Sequence, residues 1–151
     1  MHKPYDREQV SKIISDIERY TKDLEELGIR AREDLEDRRT LYALSMLLFT
    51  IINRALDLAD EVILTNRLGM PQSYKEIFDI LRRRGFIDRK LADEMARIVF
   101  YRNMIAHQYD DLTDDDLWSL FCRLGTILSF VDRMKDIIRE GPPARGKGKG
   151  R

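Results

Sequence analysis

The chain has 151 residues, of which 36% are charged and 43% hydrophobic, and its 27 basic and 27 acidic side chains cancel to a net charge of zero. That length holds one domain with a substantial core, and the charge balance excludes a bulk polycation, so any contact with a polyanion must come from local clusters. The single cysteine, Cys122, cannot form an internal disulfide, which fits a reducing cytoplasm. No secretory leader is read at the start, and charges interrupt each apolar run short of a membrane span, so a cytoplasmic protein without a membrane partner is expected. Zinc-type Cys/His spacing, a phosphate-cradling glycine loop and a Gly-x-Ser-x-Gly elbow are all absent, so no cofactor and no metal site is implied.

Periodicity predicts helices throughout. Pro4 suits a first turn, and Val10, Ile13, Ile14, Ile17, Leu24 and Leu27 form one apolar face, giving a first helix from about 4 to 27 that stops near Gly28. The charged stretch REDLEDRR leads into the longest helix, about 36 to 67. Along it Leu41, Leu44, Leu48, Ile51, Ile52, Ala55, Leu58, Ala59, Val62 and Ile63 recur three and four apart. That face is wide enough to serve both the core and a second surface. Asn66, Gly69 and Pro71 end the helix. Ser73 and Glu76 read as a capping box opening a short third helix over 74–84, closed by Gly85. Its end is basic, with Arg82, Arg83 and Arg84 followed by Arg89 and Lys90. Compensation of a helix carboxyl end explains such a cluster. The alternative is a phosphate-backbone patch, with Arg84 as a candidate substrate-binding residue.

Asp88 caps a fourth helix, and Thr113 caps a fifth, which runs through Leu117, Leu120, Phe121, Leu124, Ile127, Leu128, Val131 and Met134 to Ile138. Asp114, Asp115 and Asp116 occupy its first turn, where the helix dipole favours anions. At successive helical positions they cannot all face one metal ion. The domain is expected to occupy residues 1–140 as an all-α antiparallel bundle of about five helices. The end, GPPARGKGKGR over 141–151, has a linker's composition and is expected to be a disordered basic tail.

The fourth helix carries an anomaly. Advancing 100° per residue from Leu91 places Leu91, Met95, Ile98, Arg102, Ala106 and Tyr109 within roughly 80° of one another. Arg102 thus sits in an apolar stripe, where a guanidinium must reach a partner, a water-filled cleft or an anion. His107 lies about 140° further round, on the face of Ala96, Phe100 and Asn103. One helix cannot bring both groups onto one ridge; a cleft between helices, or between two copies of the chain, could. The plain alternatives are an arginine that snorkels or pairs with a carboxylate, and a histidine satisfied in the core.

The run Arg102-Asn103-Met104-Ile105-Ala106-His107-Gln108-Tyr109 resembles the Arg-Asn-x-x-x-His-x-Tyr signature of HepT-like proteins in the HEPN superfamily. The similarity extends from about Leu41 through Met134, including the SYKEIFDIL helix with its following glycine and the acidic DDLTDDDLW segment. The resemblance implies a small helical ribonuclease, commonly the toxin of a toxin–antitoxin pair, and a homodimer with its active cleft between two signature helices. It implies a minimal nucleotidyltransferase as antitoxin, which in some pairs adenylylates the tyrosine matching Tyr109. In that frame His107 is the general acid/base, since imidazole exchanges a proton near neutral pH. Arg102, always charged and forked, is the phosphate clamp. Asn103 orients or binds phosphate, and Tyr109 lies at the cleft rim or closes the bundle end. Two rival readings stay open: a binding module that pairs with a nucleotidyltransferase without cleaving RNA, and a structural helical dimer with Arg102 ion-paired across the bundle.

Overall fold

A computed structural model describes residues 4–107 and 113–144. Six α-helices and one short 3-10 helix appear in the order α1 Arg7–Glu26, 3-10 Arg32–Glu36, α2 Arg38–Thr65, α3 Tyr74–Arg83, α4 Arg89–Ala106, α5 Asp114–Phe121 and α6 Leu124–Glu140. No strand occurs among the described residues, so the expected all-α bundle is what forms.

The long helix α2 is the axis of the bundle. Leu44, Leu48, Ile51, Ile52, Ala55, Leu58, Ala59 and Val62 are fully buried along it, and α1, α3, α5 and α6 all pack against it. Asp37 caps its start, accepting from the Thr40 amide at 3.2 Å and hydroxyl at 2.7 Å. The buried carboxylate of Asp16 on α1 meets Arg54 of α2 at 3.6 Å and Arg19 at 3.3 Å, which fixes the pairing of these two helices. Membrane-span length was not expected anywhere, yet α2 contains an 18-residue window of mean hydropathy 1.4 that meets that test. Arg54 and Asp57 are spaced so that they barely interrupt the run, and half of the window is buried inside the bundle.

Helix ends differ modestly from their sequence-based bounds. The first helix begins after Asp6, whose carboxylate accepts from the Gln9 amide at 3.1 Å, so Pro4 lies outside it. A side-chain acceptor for an orphan amide outweighs proline's preset φ here. Ser73 caps α3 as expected, its Oγ accepting from the Glu76 amide at 3.2 Å, while the Glu76 carboxylate reaches back to the Gln72 amide. Gly85, at φ 80°, turns the chain from α3 into α4. Arg133 Nε donates to the Phe86 carbonyl at 2.7 Å and ties this α3–α4 hairpin to α6. Phe78 and Phe130 meet edge to face nearby, with centroids 5.5 Å apart.

The expected fifth helix is two. The chain turns at Cys122 and Arg123, where the Arg123 amide bonds to the Leu120 carbonyl and the Thr126 amide to the Arg123 carbonyl, each at 3.0 Å. Leu117, Leu120 and Ile127 remain buried on both sides of the break. With Leu124 between them the three- and four-residue spacing continues through it, no proline marks the turn, and the nearby Gly125 already lies inside α6. Residues 145–151, most of the expected basic tail, lie outside the described residues.

Because Leu48 is fully enclosed at the centre of α2, Leu48→Ala is expected to destabilise the fold by about 2–5 kcal/mol through lost burial plus an unfilled cavity. Urea denaturation followed by circular dichroism measures this. A change below about 0.5 kcal/mol would mean that α2 is not the central helix.

Candidate active site

Helix α4 packs against the α3 hairpin arm on one side and against α5 and α6 on the other. Its last turn brings Arg102 over α2. The Arg102 guanidinium donates from Nη1 to Asn103 Oδ1 at 2.6 Å and from Nη2 to Asn53 Oδ1 at 2.7 Å. Its central carbon stands 5.7 Å from the centroid of the Phe49 ring, one helical turn before Asn53. Nε is buried and has no hydrogen-bond partner among the described residues. Among the described residues no carboxylate pairs with Arg102. The ion-paired structural reading therefore finds no partner there.

This arrangement has a chemical consequence. A guanidinium only donates, so both asparagines must turn their oxygens towards it. Each amide nitrogen is then left as a further donor, and neither is used by a described residue. The positive charge is held by neutral acceptors and stays uncompensated. A cluster of fixed donors around an unneutralised charge suits an incoming phosphoryl oxygen.

His107 is the capping residue at the carboxyl end of α4, where its amide bonds to the Asn103 carbonyl at 3.1 Å. Its side chain is exposed. Arg102 and Asn103 are therefore brought together, while the imidazole makes no bond to the guanidinium within one chain. Arg84 is not brought to them. It ends α3 beside the start of α4, and roughly 20 Å of helix separates Arg89 from Arg102 at 1.5 Å per residue. Tyr109 lies outside the described residues. The three aspartates of α5 diverge as expected: Asp116 accepts from the Tyr101 hydroxyl at 3.1 Å, and Asp115 pairs with Arg32 of the 3-10 helix at 3.1 Å.

Asn53 was not singled out in the sequence. Its signal was present but faint, a polar residue four positions after Phe49 on the second surface of the longest helix. Only the reach of Arg102 from α4 to α2 distinguishes it from an ordinary solvated amide.

An all-α bundle whose long central helix backs an Arg-Asn-x-x-x-His segment at the end of another helix defines a protein of the HEPN type. The chain belongs to the Ribonuclease HepT-like family, which its sequence matches over residues 11–134. It is 32% identical over 60 residues to the mRNA nuclease HepT of Shewanella oneidensis, a match covering 40% of this chain and 45% of that relative. The chain thus aligns with less than half the length of that curated relative. The cytosolic protein of unknown function YutE from Bacillus subtilis has a similar structure, with a TM-score of 0.76 and 22% identity, covering 95% of this chain and 99% of that one. So does the tri-AMPylated HEPN toxin of Shewanella oneidensis solved in complex with MNT antitoxin, with a TM-score of 0.74 and 23% identity over 84% and 96% of the two chains.

The Tyr101–Asp116 bond clasps α4 to α5 beside the signature. Burial first, and then the hydrogen bond and charge of Asp116, raise the Tyr101 phenol above its ordinary value. A raised folded-state value adds stability that is complete below the unfolded value, about 10, and is lost as pH rises through the folded value. Tyr101→Phe is accordingly expected to cost about 0.5–1.5 kcal/mol at neutral pH. It should also flatten the decline in stability above about pH 10, as denaturant titrations across that range would show. Parallel curves for the variant and the parent would exclude the clasp.

Proposed function

We propose that the protein is a metal-independent endoribonuclease, the toxin of a toxin–antitoxin pair, acting in the cytoplasm. The observation that carries this reading is the Arg102 guanidinium, held at 2.6 and 2.7 Å by two amide oxygens and by no described carboxylate, on the same helix end as an exposed His107. In RNA cleavage the 2′-oxygen bonds to phosphorus while the 5′-oxygen leaves with a proton. Arg102 stabilises the charge gathering on the non-bridging oxygens, with the Asn103 amide as a second donor. His107 takes the 2′-hydroxyl proton or supplies the one that leaves. Proton transfer and charge stabilisation are then both supplied by side chains, which is why no metal is invoked.

The site is completed by a second copy. Arg102 and His107 point in different directions from one helix, and exposed apolar residues flank them: Tyr42 and Met46 on α2, and Met104 on α4. Burying these in a two-fold contact would set Arg102 of one subunit near His107 of the other. Such a dimer would also place two sets of donors along one RNA groove.

His107→Ala and Arg102→Ala are each expected to lower RNA cleavage a hundredfold or more, on the order of 2–4 kcal/mol. Helical content should be unchanged, and activity should survive EDTA. Full activity in His107→Ala would end this mechanism, and light scattering that finds only monomer at micromolar concentration would end the shared cleft.

A minimal nucleotidyltransferase is the partner this reading carries, by analogy with the AMPylated toxin found in complex with its antitoxin. The hydroxyl of Tyr109 is the proposed point of attachment, because a phosphate there would compete for the Arg102 clamp. Tyr109→Phe is expected to cleave RNA and to escape inhibition by a cognate nucleotidyltransferase supplied with ATP. Equal labelling of both proteins by mass spectrometry would place the modification elsewhere.

A further inference from the structure

A cleft of about 460 Å³ opens between the start of α3 and the late part of α4, lined by Ser73, Tyr74, Lys75, Arg97, Phe100 and Asn103 among others. Two of its walls are aromatic rings left in solvent, Tyr74 at 44% exposure and Phe100 at 64%. Two more are cations, and among the described residues no carboxylate lines it. Arg97 pairs with no described acid, while Lys75 reaches Asp79 at 3.4 Å in an exposed and therefore weak pair. Another wall is Asn103, whose Oδ1 is taken by Arg102 and whose amide nitrogen is free of described partners. The cleft and the guanidinium site therefore share one side chain.

We propose that this cleft is a nucleobase subsite, which takes the base of a nucleotide next to the scissile phosphate of single-stranded RNA. The proposal rests on the ribonuclease reading given above. Exposed rings beside cations form the surface that binds single strands without pairing, since every base offers a π-face and every nucleotide a charge. An apolar peptide would use the rings but leave Arg97 and Lys75 without a role. A duplex would keep its bases stacked out of reach of the rings. With the phosphate on Arg102, the Asn103 amide can donate to that phosphate or to the edge of the neighbouring base. Stacking on Tyr74 and Phe100 then sets which nucleotide enters, and Arg97 and Lys75 draw in the next phosphate. The rings and cations belong to one cleft, so binding here should be read in affinity and not in the chemical step.

The test uses the full-length protein and a short single-stranded oligoribonucleotide, with binding measured by fluorescence anisotropy in the slow-cleaving His107→Ala background. Tyr74→Ala and Phe100→Ala are each expected to weaken binding about 5- to 100-fold, whereas Tyr74→Phe and Phe100→Tyr keep parental affinity. The background protein should prefer the intact oligonucleotide to one carrying abasic residues, and the two alanine variants should lose that preference. In the otherwise wild-type enzyme the same alanine changes should raise KM with kcat little altered. If wild-type protein cleaves RNA but the alanine variants bind as the parent does, or keep the preference for intact bases, the subsite is wrong and the ribonuclease reading stands. If Phe100→Ala abolishes the dimer by light scattering, the ring belongs to the contact between copies and the subsite is equally wrong. If wild-type protein neither binds nor cleaves RNA, both readings fall together.

Discussion

The structure depends on the burial of α2. A helix of 28 residues with apolar side chains on much of its circumference is stable in water only if other helices cover it. Each side chain fully buried there is worth about 1.5–3 kcal/mol before chain entropy is counted against it. That demand draws α1, α3, α5 and α6 around one axis. It also leaves a strip of α2 uncovered, with Tyr42 and Met46 exposed and Phe49 half-exposed. The candidate site grows on this uncovered strip, which Arg102 reaches from the last turn of α4.

Placing an arginine at that crossing has an energetic logic. Partial desolvation penalises a guanidinium unless its donors are met, and here two are met by asparagine oxygens while Nε is buried without a partner among the described residues. A carboxylate would hold the group more tightly but would also neutralise it. Neutral acceptors orient the fork and leave its charge for another anion, at some loss of stability. The neighbouring Phe49 ring, 5.7 Å away, supports the cation through its π-face without competing for donors. Tyr101 and Asp116 fasten the same turn to α5, and Arg32 meets Asp115 on that helix's outer side. The last turn of α4 is therefore held from both sides while His107 at its end stays open to solvent.

The exposed aromatics gain meaning from this frame. Tyr74 opens α3, which is capped by Ser73, and Phe100 stands on the outer face of α4. Neither position contributes to the core, so burial does not explain them. Their nearness to Asn103 connects them to the guanidinium instead. On this face one chain collects ring surface, positive charge and amide donors, the three things a single-stranded nucleic acid engages.

The all-α class, the broad apolar face of α2 and the anomaly of Arg102 were legible in the sequence, because each is a matter of local periodicity and composition. Three- and four-residue spacing reveals which face a helix must hide, and a charged residue on that face stands out wherever the chain goes. The Ser73, Asp88 and Thr113 caps were legible for the same reason, since a cap acts within its own first turn. The start of α1 at Asp6 and the turn at Cys122 were not, because competing local signals and an unbroken apolar spacing hid them. Tertiary structure alone decided what Arg102 touches. Asn53 lies 49 residues earlier in the chain, and no periodicity links two residues whose meeting depends on the crossing of separate helices. The same holds for Tyr74 and Phe100 on one cleft, and for Arg84 being left at the far end of the α3–α4 hairpin. Local patterns determine which elements form and which faces they bury, but the packing of those faces in three dimensions decides which polar groups come within hydrogen-bond reach.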